Sequence, residues 1–227
     1  MSRPRIVIKL SGSIFNFETD VKDLAGYMKV IKKISEHYQP IIITGGGKIA
    51  RFYINLSRSL GLDEAGLDLM GIQVSHLNAK LLISGLGDTC FPLTPKNLDE
   101  ISAAAMSGKI IVTGGLYPGQ STNATSALIA ERVKAERFFN ATDVEGIFES
   151  DPRINSNAKL FDSITVKDCI NMLKDGHSMA GTYDLMDLIS LKVIERSKLP
   201  TVVFKLSVEN IQKVILENQK MGTKIII

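Results

Sequence analysis

The chain has 227 residues, 44% of them hydrophobic and 22% charged, with a formal net charge of +3. This is ordinary globular composition for one large domain or two small ones, and with no basic block longer than Lys32-Lys33 it argues against nucleic-acid binding as the main role. Cys90 and Cys169 form no C-x-x-C pair, which favours a reducing compartment over structural zinc, and no apolar run approaches the ~18 residues of a membrane span, so a cytoplasmic protein with no membrane partner is expected.

Strand and helix patterns alternate along the chain. Residues 6–10 read as a strand in which Lys9 interrupts an apolar run. Residues 20–37 are helical, with Leu24, Met28, Ile31 and Ile34 at helical spacing. Pro40 introduces a short strand, 41–44, that ends in Gly45-Gly46-Gly47. Helices follow at 49–60 and 67–82, the second with Leu67, Met70, Val74, Leu77 and Leu81 as its apolar positions. Strands are expected at 89–93 and 109–113, flanking a small helix at 99–106, with Gly114-Gly115 closing the second strand. A helix at 125–133 and a strand at 137–141 come next. Residues 145–161, rich in Gly, Asp, Asn and Pro, read as a loop or hairpin insert. A helix at 184–197, a strand at 201–205, a helix at 208–217 and a strand at 223–227 complete the chain. Such alternation predicts an α/β protein, a three-layer α/β/α sandwich around a mostly parallel sheet. It reads as a single domain over 1–227, softly divided near residue 135.

Three strands end in glycine or small polar residues: Lys9-Leu10-Ser11-Gly12-Ser13, Thr44-Gly45-Gly46-Gly47 and Thr113-Gly114-Gly115. Ligands of open α/β sheets bind beyond the carboxyl ends of the strands. Backbone N–H groups there, and at the helix start after Gly46-Gly47, suit a polyanion. A glycine at one strand end is more often only a tight turn; three together point to phosphate. Neither G-x-x-x-x-G-K-[ST] nor a strand-linked G-x-G-x-x-G occurs, so a nucleotide enzyme here needs another cradle.

The ordered set Lys9-Leu-Ser-Gly-Ser, Gly45-Gly-Gly with Arg51, Asp68-Leu-Met-Gly71, Gly114-Gly with Pro118-Gly-Gln-Ser-Thr-Asn123, the 141–152 stretch ending Asp151-Pro152, and Ala180-Gly-Thr-Tyr-Asp-Leu-Met-Asp187 resembles the amino acid kinase family. Within it the resemblance is to the uridylate (UMP) kinases, the archaeal kind most of all, and it runs over nearly the whole chain. It implies transfer of the γ-phosphoryl group of ATP to UMP in pyrimidine nucleotide synthesis. Mg²⁺ would arrive with the ATP, no metal would be held by the protein alone, and the protein would be a homo-oligomer, a hexamer in related bacterial enzymes. Residues 1–135 would form the UMP half and 136–227 the ATP half.

By the same resemblance Lys9 is the catalytic residue. Lys9, Gly12, Ser13, Gly47, Arg51, Thr142, Asp143, Phe148 and Asp151 would bind ATP. Gly46, Asp68, Leu116, Tyr117, Pro118, Gly119, Gln120, Ser121 and Thr122 would bind UMP. The chemistry suits these residue types. Phosphoryl transfer needs positioning and positive charge on the moving group; Arg51 offers a fork of donors to a phosphate; a carboxylate at Asp68 accepts from ribose hydroxyls. Each also has a plain structural reading: Arg51 as a solvated helix arginine, Asp68 as an acid near a helix N-terminus, Ser121 as an N-cap, Asp151-Pro152 as a turn.

The sequence departs from the family at three residues. Asn123 stands where many relatives carry Asp in a Thr-Thr-Asp run, Ser121 replaces the first Thr of that run, and Phe148 stands where they often carry Tyr. A second catalytic lysine, used by relatives that phosphorylate carboxylates, has only Lys205 as a candidate. His76 is expected to be structural. Other small-molecule kinases of the same fold are the alternative reading. Isopentenyl phosphate kinases carry a histidine after the triple glycine, where this chain has Lys48-Ile-Ala-Arg51. A non-enzymatic oxoanion store on the fold would need histidine-rich cavities, and this chain has three dispersed histidines.

Overall fold

A computed structural model describes residues 3–150, 152, 154–174 and 186–227. Asp151 and the 180–185 part of the late motif lie outside the described residues. The elements are β1 (Arg5–Leu10), α1 (Val21–Ser35), β2 (Gln39–Thr44), α2 (Gly47–Ser59), α3 (Glu64–Leu86), α4 (Leu98–Ala105), β3 (Ile111–Thr113), α5 (Thr122–Arg132), β4 (Arg137–Thr142), β5 (Ser163–Thr165), α6 (Val166–Lys174), α7 (Leu188–Ser197), β6 (Thr201–Lys205), α8 (Val208–Ile211) and β7 (Thr223–Ile226).

The seven strands make one sheet in the order β3-β2-β1-β4-β6-β7-β5. The first five run parallel, and β7 turns back antiparallel to β6, with β5 parallel to β7. The chain steps outward from β1 to β2 and β3, then returns to place β4 on the other side of β1. The crevice between β1 and β4 is therefore a topological switch point, where open α/β sheets take ligands.

Side chains alternate across the sheet and separate two cores. Val7, Ile41, Ile43 and Phe138 face one way and pack with Ile101 of α4, Ala127 of α5 and Leu191 of α7. Ile6, Ile8, Leu10, Ile42 and Phe139 face the other way and pack with Ile31 of α1, Leu82 of α3 and Ile211 of α8. The result is the expected three-layer α/β/α sandwich with a mostly parallel sheet. Each fully buried Ile or Phe contributes about 1.5–3 kcal/mol, so the β1–β2–β4 centre is the most strongly held part of the molecule.

Local chemistry sets the helix starts. Asp20 accepts from Lys22 N–H at α1, Asp63 from Gly66 N–H at α3, and Ser121 from Asn123 and Ala124 N–H at α5. The Ser121 cap starts α5 at Thr122, three residues earlier than apolar spacing suggested. The strand expected at 89–93 is not formed; a single bridge, Cys90 to Ile110, stands there, because that segment runs at the sheet's edge. Strand β5 and helix α6 were not foreseen, since they follow the irregular insert within one short stretch. Leu77 and Leu81, expected on the buried face of α3, are 64% and 50% exposed. The buried stripe instead runs through Leu67, Val74, Ser75, Asn78, Ala79 and Leu82.

Candidate active site

Lys9 lies near the end of β1 at the switch point, in register with Ile43 of β2 and Asn140 of β4. It shares the sheet face of Val7, which α5 covers. Only 9% of it is exposed, and it makes no ion pair with any described residue. Burial pushes its ammonium down from 10.5 to about 8, with the charge of Asp143 acting in the opposite sense. A buried cation with no bound counter-charge is costly unless an anion is to meet it.

Asp143 follows the end of β4. One of its oxygens, Oδ1, accepts from both Ser11 Oγ at 2.6 Å and Ser13 Oγ at 2.7 Å. The β1 turn is thus tied to the β4 turn across the crevice, with the Ser13 hydroxyl committed to Asp143 and its backbone N–H donating to Ser11 Oγ at 3.3 Å. The β1 and β2 turns touch backbone to backbone. A Cβ on Gly12 would lie 2.2 Å from Gly47 N, and Gly47 itself has a φ of +64°. No side chain fits between these turns. Gly46 caps α2 without a side-chain hydrogen bond, so the first N–H groups of a 13-residue helix are left to an anion.

Beside this turn lies a pocket of about 240 Å³ lined by Gly46, Gly47, Arg51, Asp68, Gln120 and Thr122, with Ile72, Ser75 and Gly115 behind them. Arg51, expected on the ATP side, faces this pocket together with Asp68, and its guanidinium has no partner among the described residues. Asp68 Oδ2 accepts from Gly119 N–H at 2.7 Å, which draws the 116–120 loop over the pocket and leaves Oδ1 for another donor. Ser121 accepts from two N–H groups of α5 and gives its own proton to Asp187 Oδ2 at 2.5 Å. Asp187 also caps α7 in a reciprocal bond with Ser190. Leu116 is buried and Tyr117 is exposed, with Pro118 and Gly119 forming the loop's turn.

On the other side of Lys9, Thr142 is buried at the end of β4. Phe148 bridges Leu160 in an antiparallel hairpin, held also by Phe161 N–H to Ile147 O and Glu149 N–H to Lys159 O. Lys205 pairs with Glu145 at 2.7 Å and so is already engaged at the rim of this side.

The structure therefore gathers Lys9, Gly12, Ser13 and Asp143 at the switch point, and Gly46, Gly47, Arg51, Asp68, Gln120 and Thr122 in the adjoining pocket. Sequence reasoning quoted Asp187 at the end of the late motif but gave it no part in the site, although Asp187-x-x-Ser190 is a legible helix start. It also passed over Ser75, whose hydroxyl receives Gly115 N–H at 2.9 Å. No helix among the described residues is long and apolar enough to cross a membrane.

A parallel sheet with a lysine at the switch point and glycine turns on both flanks defines a class of phosphotransferase folds, and the chain belongs to one of them: the amino acid kinase family, whose pattern matches residues 4–205. Among its relatives are the uridylate kinase of Methanobrevibacter smithii, 39% identical over 98% of this chain and 99% of that protein, and that of Metallosphaera sedula, 40% identical over 88% of each. The crystal structure of uridylate kinase from Archaeoglobus fulgidus superposes with a TM-score of 0.87 at 34% identity, covering 97% of this chain and 99% of that one. The UMP kinase of Ureaplasma parvum, at 23% identity and a TM-score of 0.82, shares the fold.

Proposed function

We propose that the chain transfers the γ-phosphoryl group of Mg-ATP to UMP, giving UDP. The observation that carries this reading is a buried cation, Lys9, with no ion-pair partner among the described residues, beside a pocket lined by an arginine, a carboxylate and two helix starts. The phosphate of UMP would lie between the N-termini of α2 and α5, at Gly46, Gly47 and Thr122, with Arg51 across it. Asp68 would accept from the ribose. ATP would lie on the β4 side, its phosphates at Gly12, Ser13, Gly47 and Lys9, and its nucleoside toward Thr142, Asp143, Phe148 and Asp151. The two halves, 1–135 and 136–227, would supply the two nucleotides, meeting between β1 and β4.

Chemistry at this site needs no general base. A UMP phosphate oxygen is already an anion; it attacks the γ-phosphorus in line, the bond to the ADP oxygen breaks, and no proton has to move. Lys9 would neutralise charge spread over the equatorial oxygens. Phosphates arriving beside Lys9 favour its charged form, so binding prepares the cation that the transfer uses. Mg²⁺ arriving with ATP would be held chiefly by the triphosphate's own oxygens and water and would offset their charge.

Exposed apolar pairs on α2 and α3, Phe52 with Leu56 and Leu77 with Leu81, support self-association. A cytoplasmic location fits two free buried cysteines. The deciding experiment is a coupled assay with ATP and a panel of UMP, CMP, dUMP, AMP and isopentenyl phosphate. We expect UMP to be turned over best. Turnover of another acceptor without UMP would replace the reading. Lys9→Ala should lower kcat by about 10² or more while UMP binding changes little; near-normal activity would return Lys9 to a structural role.

A further inference from the structure

The larger cavity next to the acceptor pocket, about 1130 Å³ in volume, shares Ile72 with it and is bounded by His76 and Leu116. His76 stands at this junction. Its Nε2 lies 2.8 Å from the carbonyl oxygen of Gly115. A carbonyl only accepts, so Nε2 carries the proton and Nδ1 is left as a lone pair. That Nδ1 is buried and has no hydrogen-bond partner among the described residues. An imidazole kept only for packing gains nothing from an unsatisfied buried nitrogen, which carries a desolvation cost.

Neighbouring residues show what the bond accomplishes. The N–H of Gly115 is held by Ser75 Oγ at 2.9 Å and its carbonyl by His76, so consecutive residues of α3 clamp both polar groups of one glycine. Four residues on, Gly119 N–H is held by Asp68, two turns earlier on the same helix. Helix α3 thus fixes the 115–119 loop at both ends, with the ribose carboxylate at one end and His76 at the other. A nucleotide whose phosphate sits at Gly46, Gly47 and Thr122 and whose ribose meets Asp68 must send its base away from the phosphate, toward Gly115 and the junction.

We infer that His76 is a positioning residue that sets base specificity by aiming the Gly115 carbonyl at the acceptor's base; this rests on the UMP kinase reading. With one lone pair of that oxygen occupied by the imidazole, the other points in a fixed direction and accepts only from a donor. Uracil offers its N3–H; cytosine presents a lone pair at N3 and is repelled. Burial lowers the pKa of His76 against the bond to Gly115, with Lys96 and Lys80 also lowering it and Glu100 raising it. Near neutral pH the imidazole therefore stays neutral and keeps this tautomer.

The test is the kinetics of His76→Ala and His76→Gln with UMP and CMP, at saturating ATP and with the KM for ATP measured separately. The expected result for His76→Ala is a KM for UMP raised about tenfold and a UMP-to-CMP ratio of kcat/KM lowered about tenfold, the scale of one misplaced polar contact. The KM for ATP should stay within about twofold, and His76→Gln, whose amide can still donate to the carbonyl, should regain part of the ratio. An unchanged UMP-to-CMP ratio, or equal loss for both acceptors and for ATP, overturns the inference and makes His76 structural. Should His76→Ala not fold, His76→Leu, which fills similar space but cannot donate to the carbonyl, decides instead: an unchanged UMP-to-CMP ratio in it overturns the inference. Wild type in the same assay tests the kinase reading separately, and failure to use either nucleotide would remove both.

Discussion

A single buried charge dominates the chemistry at the residue scale. Lys9 has a folded pKa of about 8 against 10.5 for the free side chain, so folding holds a proton on it less tightly than the unfolded chain does. The sign follows: the cost of burying the charge is fully present below pH 8 and disappears as pH rises toward 10.5. At 1.36 kcal/mol per pKa unit that cost is about 3 kcal/mol. Lys9→Met should therefore be inactive yet more stable than wild type at pH 7 by up to about 3 kcal/mol in urea unfolding, with the gain shrinking between pH 8 and 10.5. A difference that stays constant over that range would contradict the burial account. In activity, kcat/KM for ATP should fall above pH 8 as the free enzyme loses the cation. Asp143→Asn removes a negative charge that supports the charged form of Lys9 and should move that basic limb to lower pH.

Close backbone contacts decide how the elements meet. A Cβ on Gly114 would lie 2.3 Å from Ser75 Oγ and 2.8 Å from His76 N, so this glycine lets β3 approach α3 closely enough for Ser75 to hold Gly115. Gly114→Ala should cost about 1–3 kcal/mol through overpacking and raise the KM for UMP more than that for ATP. Calorimetry and steady-state kinetics on the one variant check both. The strand ends that form the site were readable because three apolar runs end in glycine or small polar residues, although each one alone reads as a tight turn. Strand β5 and helix α6 were not readable, because three residues of β-structure between polar segments carry too little periodicity to stand out. The segment at 89–93 has strand composition but only one bridge to Ile110; pairing depends on a neighbour's position, which local propensity does not contain.

At the scale of the whole molecule, the apolar surface of α2 and α3 needs explaining. Leu77 and Leu81 continue the apolar spacing of α3, yet the helix buries the stripe through Val74 and Asn78 instead. Helix α3 is therefore apolar on two sides, one used within this chain and one that a second copy would cover on the proposed self-association. Leu77→Glu should shift the protein to smaller species in analytical ultracentrifugation while leaving its circular dichroism unchanged. A monomeric wild type, or an unchanged assembly in the variant, would assign that surface another role.

The sequence by itself determined the alternation of strand and helix, the layered α/β class, and the lysine and glycine turns as a phosphate-seeking set, since periodicity and the steric freedom of glycine are local properties. Its ordered motifs also determined the family. Tertiary structure alone decided which groups meet: that β4 lies beside β1 and leaves Lys9 buried with no ion pair to any described residue, that Asp143 gathers two serine hydroxyls from the opposite turn, that Arg51 and Asp68 line one pocket, and that Ser75 and His76 hold Gly115. The hydrogen bonds among these join residues 39 to 132 positions apart. Strand order and close packing bring them together, and neither can be read from any stretch of chain taken alone.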